Sequence, residues 1–256
     1  MSAQVGATTQ LDERVFRLLE RVDYRLAETS AEKAEIYRLR YRAYLDEEAI
    51  APNSEKRLWD RFDDLPNSWI FGVHIDGMLV SSLRICVASP ENPDTPAVEA
   101  FGDLLRPLLA QGKVIVDPNR FVAEPSRAKS PMLPYLTLRL AYAACSYFNA
   151  DVGTATVRSE HRAFYRRVFL HEPLCEPRPY PTLTKPLCLM AVDFPARREK
   201  VFRRYPYFSS TMSERRALFE RRMPFKRSSL APDRSLGVDA IGDAERITLQ
   251  PGQAVR

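Results

Sequence analysis

The chain is short of several residues on which enzymes commonly build a site. It has nine glycines and three histidines in 256 residues. No G-x-G-x-x-G follows a predicted strand, so a dinucleotide cradle has no basis. H-E-x-x-H, G-x-S-x-G and the P-loop are missing, which removes the motifs for metal-assisted hydrolysis, serine hydrolysis and nucleoside triphosphate use. Four cysteines, Cys86, Cys145, Cys175 and Cys188, show no C-x-x-C spacing. Three sit in apolar runs, where a thiol behaves as a small hydrophobe, so neither a disulfide scaffold nor a zinc site is expected. His74 lies between Val73 and Ile75 in a predicted strand and reads as structural. No apolar run approaches the roughly 20 residues of a bilayer span. Residues 1–10 lack the basic and apolar regions of a secretory signal, which predicts a cytoplasmic protein.

Of the residues present, 45% are hydrophobic and 28% charged, the proportions of a globular domain with appendages. The pattern predicts a helix and first strand in residues 1–28 and a core in 29–195. A basic, aromatic helical appendage in 196–227 and a disordered tail in 228–256 follow. Leu11, Val15, Leu18, Leu19 and Val22 have helical spacing, and a brief strand is expected over 24–28. Thr29 and Ser30 are good caps for the helix that contains IYRLRYRAYL. Residues 69–75 and 78–87 flank Asp76-Gly77, the strongest hairpin signal in the chain. After a helical stretch at 98–109, a strand over 113–122 contains Pro118, whose missing N–H requires an edge, a bulge or a splayed end. A buried helix over 131–149, a strand over 152–157 and a helix over 160–169 come next. An apolar strand over 187–194 is placed by its composition at the centre of a sheet. This order predicts a mixed α/β sheet rather than a doubly wound parallel one.

The formal charge is +5, unevenly spread. Residues 196–227, ARREKVFRRYPYFSSTMSERRALFERRMPFKR, interleave arginines with Phe202, Tyr205, Tyr207, Phe208, Phe219 and Phe225. Peripheral contact of residues 197–227 with the inner face of a membrane is one expectation, and a simply solvated helix face is the other. Nucleic acid is not an expected partner. Elsewhere, charged residues recur at the ends of predicted elements. Arg38, Arg40 and Arg42 lie on the first long helix, Asp60, Asp63 and Asp64 in WDRFDDL, Arg84 in SSLRICV, and Asp117, Arg120 and Glu124 in VDPNRFVAE. An arginine inside an apolar strand needs a carboxylate partner, and Asp60, Asp63 and Asp117 are the candidates for Arg84.

These blocks resemble, in order, those of acyl-homoserine lactone synthases. Arg40, Ala43 and Tyr44 occupy the first block. Asp60, Phe62 and Asp63 match the second, Arg84 the third, and Asp117, Arg120 and Phe121 the last. The tryptophan that family carries soon after its first block is absent from DEEAIAPN, and Asp117 stands where the family has glutamate. A closer likeness is to the long-chain N-acyl amino acid synthases of the FeeM type. It is carried by IYRLRYRAYLDEE, DPNRFVAEPSRAKS, RAFYRRVF and KPLCLMAVDF.

The resemblance implies an α/β fold of the GNAT-like acyl-CoA N-acyltransferase kind, a mixed central sheet with splayed strands flanked by helices. It implies transfer of a fatty acyl group from the phosphopantetheine thioester of acyl carrier protein to the amino group of an amino acid or similar small amine. No tightly bound cofactor is implied. Coenzyme A is the less favoured donor, because VAEPSRAKSPMLPY has no glycine-rich turn for a pyrophosphate. Asp117, then Glu124, are the candidate general bases. Arg40, Tyr44, Asp60, Asp63, Arg84, Arg120 and Phe121 are the candidate substrate-binding residues. Arg139, Arg158, Arg162, Arg166 and Arg167 are the candidate docking residues for an acidic carrier protein. The alternatives are a lactone-signal synthase using S-adenosylmethionine, disfavoured by the missing tryptophan, and a non-catalytic module that binds a lipid or protein. Asp117 could also simply pair with Arg84 or Arg120.

Overall fold

A computed structural model describes residues 2–220 except Lys129 and Pro181. The expectations for the 228–256 tail, for residues 221–227 and for Phe225 lie outside the described residues. Among the described residues, seven strands form one sheet in the order β1-β2-β3-β4-β5-β7-β6. They are β1 (Val22–Leu26), β2 (Ser68–Ile75), β3 (Met78–Ala88), β4 (Ile115–Ala123), β5 (Val152–Val157), β6 (Glu172–Pro173) and β7 (Cys188–Asp193). The pairing of β4 with β5 is parallel and every other pairing is antiparallel.

Local chemistry explains most boundaries. Asp76 and Gly77 have φ of 52° and 78°, the left-handed pair of a tight hairpin turn, so Ile75 meets Met78 and the β2–β3 register follows. Helix α1 (Ser2–Leu19) starts earlier than expected, and β1 opens at Val22 rather than Tyr24. Helix α2 (Ser30–Asp46) begins at a capping box in which Thr29 and Glu32 satisfy each other's backbone N–H. Two short helices, α3 (Pro96–Ala100) and α4 (Gly102–Ala110), replace the single stretch expected there. Helix α5 (Leu133–Tyr147) is buried along most of its length. Helix α6 (Arg162–Phe169) follows β5.

The last long strand corrects one expectation. β7 lies one place from the edge, flanked by β5 and the two-residue β6. Its apolar run reflects cover on both faces rather than a central position. Leu189 packs in a cluster with Leu105 and Leu109, while Cys188 and Met190 pack in another against Tyr165.

The C-terminal segment brings the larger correction. Helices α7 (Phe194–Arg204) and α8 (Met212–Phe219) belong to the core instead of hanging from it. Tyr207, Phe208 and Phe219 are buried, with Phe208 stacked on Tyr142 of α5 at 5.1 Å and Phe219 edge-on to Phe71 of β2 at 5.5 Å. Arg139 of α5 fastens the segment. Its Nε donates to the Tyr207 carbonyl at 2.7 Å, its Nη2 to the Ser209 carbonyl at 2.9 Å, and it pairs with Glu214. The described aromatics proposed for a membrane surface are therefore largely spent inside the protein, where they bury apolar area. Among the described residues no helix is long and apolar enough to cross a membrane.

Candidate active site

β4 and β5 are paired only at Ile115↔Val152 and Val116↔Gly153, and then part. Two features of β4 permit this. Pro118 sits opposite Ile85 of β3 and has no N–H to offer on its other side, the side toward β5. Two residues later the register slips, so that Arg120 and Phe121 oppose Leu83 alone. Arg120 takes the left-handed φ of 53° that such a bulge requires, an uncommon conformation for a residue with a side chain.

The parted strands open a cavity of about 520 Å³. Leu133 and Leu138 of α5 with Phe164 and Tyr165 of α6 form an apolar wall. Tyr44 of α2 and Tyr180 of the segment before β7 line it from elsewhere, with Arg120, Phe121 and Thr154 along the strands. Arg158, His161 and Lys185 also border it.

Behind the cavity lies a chain of buried ion pairs. Arg40 Nη1 is 2.8 Å from Asp63, Arg84 Nη1 is 2.9 Å from Asp63 and 2.5 Å from Asp60, and Arg120 Nη2 is 2.7 Å from Asp60. Arg84 Nε also donates to Asn119 at 2.6 Å, and Arg120 Nη2 to Thr182 Oγ1 at 3.1 Å. The Arg84 partners are thus Asp60 and Asp63, not Asp117. Burial works to raise the Asp60 carboxyl, but hydrogen bonds and charge from Arg84 and Arg120 outweigh it and hold it well below the usual carboxylate range. Three arginines face two aspartates here. Arg120 Nη1 is buried with no protein partner, as are Nε and Nη2 of Arg40.

Asp117 takes neither arginine. It is fully buried, accepts the Ala97 N–H at the start of α3 at 3.1 Å and the Thr154 hydroxyl at 3.3 Å, and burial pushes its carboxyl upward. Glu124 lies just past the end of β4 and pairs with Arg42 at 2.6 Å, outside the cavity lining. Tyr44 stands 5.4 Å from the Arg120 guanidinium. Tyr44, Arg120 and Phe121 therefore border the cavity, while Arg40, Asp60, Asp63 and Arg84 support it from behind.

Of the arginines expected at a docking face, Arg139 is a correction, being buried in the clamp described above. Arg158 is half-buried and pairs with Glu47 at 3.0 Å and Glu160 at 2.9 Å. Arg166 and Arg167 are exposed and Arg162 partly so, all on α6 beside the cavity. The sequence pointed to the backbone of residues 121–124 and 154–157 as the place of the thioester but assigned no side-chain role to Thr154, Tyr165 or Tyr180. The one available signal was hydroxyls at alternate positions of β5, Thr154 and Thr156, in an otherwise apolar strand.

The family model described as N-acyl amino acid synthase FeeM matches residues 35–193, a span that contains every residue bordering the cavity. The chain belongs to that family. It is an acyltransferase. Among solved structures, the N-acyl amino acid synthase FeeM from uncultured soil microbes is 16% identical, with a TM-score of 0.61 over 72% of this chain and 97% of that one. A coenzyme A-dependent acyl-homoserine lactone synthase, BjaI, solved with MTA, is 14% identical, with a TM-score of 0.54 over 73% of this chain and 89% of that one. At such identities the likeness concerns the fold, which is GNAT-like. None of the curated proteins matches the sequence. Residues 194–220, including the clamp on Arg139, fall beyond the family match.

Proposed function

We propose that the chain moves a long-chain fatty acyl group from the phosphopantetheine thioester of acyl carrier protein to the amino group of an amino acid or similar small amine. The carrying observation is the cavity between the parted strands, with its apolar wall of Leu133, Leu138, Phe164 and Tyr165. Such a slot suits an acyl chain, and the bulge at Arg120 and Phe121 frees backbone N–H groups from the ladder beside it. Those groups suit the oxygen of the thioester as charge develops on it.

A carrier-borne donor is favoured by the start of α5. Pro131 and Pro134 have no N–H, and those of Leu133 and Tyr135 are turned onto the carbonyls of Ser130 and Met132. A helix start with so few free donors is a poor cradle for the pyrophosphate of coenzyme A. Arg158, Arg162, Arg166 and Arg167 near the cavity suit an acidic carrier. For the acceptor, Arg120 borders the cavity and brings a guanidinium charge suited to a carboxylate. Asp117 is the proposed general base. Its upward shift favours proton capture, and Glu124 is committed to Arg42 outside the cavity.

Purified protein supplied with acyl carrier protein or coenzyme A thioesters and a panel of amino acids, read by mass spectrometry, tests donor and acceptor together. The expected result is amide product with the carrier donor. Asp117→Asn should stay folded and lose turnover by about 10²-fold or more. Unchanged product formation removes Asp117 from the mechanism.

A further inference from the structure

Asp117 poses a geometric problem as a base. It is fully buried and does not border the cavity in which the amine must react. Thr154, itself almost fully buried, lines the cavity and hydrogen-bonds the Asp117 carboxylate, whereas Asn119, which also lines the cavity, donates its Nδ2–H to the Asp117 main-chain carbonyl. Thr154 is the first residue of β5 past the last pairing with β4, so it stands at the apex where the strands part. Its Oγ1 is 3.3 Å from Asp117 Oδ1 and 3.3 Å from the Val116 carbonyl. One hydroxyl proton thus faces two acceptors, and the oxygen keeps a lone pair with which to accept a proton in turn.

We propose that the Thr154 hydroxyl is the proton relay between the acceptor amine and Asp117. This rests on the acyl-transfer reading above. The acceptor enters as an ammonium. One N–H proton passes to Thr154 Oγ1 as the hydroxyl's own proton passes to Asp117 Oδ1. The freed nitrogen lone pair forms the N–C bond to the thioester carbonyl. The C–S bond then breaks, and the departing sulfur takes the second nitrogen proton, giving amide and thiol. Asp117 returns its proton to solvent through Thr154, so the net release is one proton for each ammonium acylated.

The groups around Asp117 suit this task. Arg84 and Cys86 come from β3, and Tyr180 from the segment before β7. Burial pushes the Cys86 thiol up to about 11 and the Tyr180 phenol well above its ordinary value. Both stay neutral at physiological pH, so neither competes with Asp117 for the proton. Ala97 N–H fixes the other carboxylate oxygen, leaving Oδ1 to the relay.

The test compares Thr154→Val, which keeps the shape and removes the hydroxyl, with Thr154→Ser, which keeps the hydroxyl. Acyl carrier protein thioester and amine are supplied across pH 5–9. We expect Thr154→Val to lower kcat by about 10²-fold, with KM for both substrates within about twofold. Its acid limb in kcat should shift, and Thr154→Ser should restore rate and profile. Combining Thr154→Val with Asp117→Asn should add nothing to the larger single loss, because the two act as one unit. Thermal unfolding of each variant separates misfolding from lost chemistry. If the valine variant unfolds, Thr154→Ala, which also removes the hydroxyl, carries the comparison with Thr154→Ser, and an unchanged kcat in it likewise overturns the relay. A folded Thr154→Val with unchanged kcat overturns the relay alone, as does a fully additive double variant. Absence of amide product from the unaltered protein with every donor and amine overturns the relay together with the function above.

Discussion

Asp60 is the residue on which most of the site's electrostatics converge. It accepts from Arg84 and Arg120 and lies next to the Asp63–Arg40 pair. Because its folded carboxyl is held below the unfolded value, the stability it contributes is present above about pH 4 and is lost as pH falls below that. Asp60→Asn leaves two buried guanidinium groups short of a partner and should destabilise the protein by about 3–5 kcal/mol at pH 7, with a smaller penalty at pH 3. Urea unfolding at the two pH values checks the sign. Asp117 behaves oppositely, since burial raises its carboxyl and ionisation costs stability. Asp117→Asn should therefore unfold no earlier than the unaltered protein at pH 7 while losing turnover. The need of Arg84 for a carboxylate was legible from its place in SSLRICV, and two of the three candidates are its partners. The isolation of Asp117 was not legible, because it depends on α3 lying against β4 through the Ala97 N–H.

At the scale of elements, β4 shows how much one strand can encode. Pro118 announced an interruption, and both a splayed end and a bulge are found within five residues of it. The bulge itself has no glycine to mark it. Arg120 takes the left-handed conformation the bulge requires, while its guanidinium is held by Asp60 and Thr182. The C-terminal helices show the reverse case. Their arginines and aromatics suggested an outer surface, yet Tyr205, Tyr207 and Phe208 fall together in the turn between α7 and α8, which has no basic residue of its own, and pack inward onto Tyr135 and Tyr142 of α5. Phe208→Ala should cost about 3–5 kcal/mol, the range for a buried aromatic. Chemical denaturation measures it, and a loss under about 1 kcal/mol would return this segment to the status of an appendage.

At the scale of the molecule, the sheet's two halves divide the work. β3 and β4 carry the charged network with α2 and the turn at residues 60–64, while β5 to β7 with α6 supply the opposite side of the opening and the basic residues beside it. If α6 receives an acidic carrier, reversing Arg162 and Arg166 together to glutamate should raise KM for the carrier thioester about tenfold and flatten its salt dependence. Steady-state kinetics at low and high salt check this, and an unchanged KM would remove α6 from the docking surface.

The sequence by itself determined the hairpin, the helices around it, the break in β4, the order of charged blocks, and the segments such as IYRLRYRAYLDEE and DPNRFVAEPSRAKS whose likeness is to the N-acyl amino acid synthase FeeM family. Each of these depends on local spacing, turn chemistry or the cost of burying an unpaired charge. Only the tertiary structure decided that Arg84 takes Asp60 and Asp63, that Arg139 clamps the C-terminal segment instead of facing solvent, and that Thr154 stands between Asp117 and the cavity. Those choices join residues 21 to 75 positions apart, and a pattern read along the chain does not specify which distant side chain meets which.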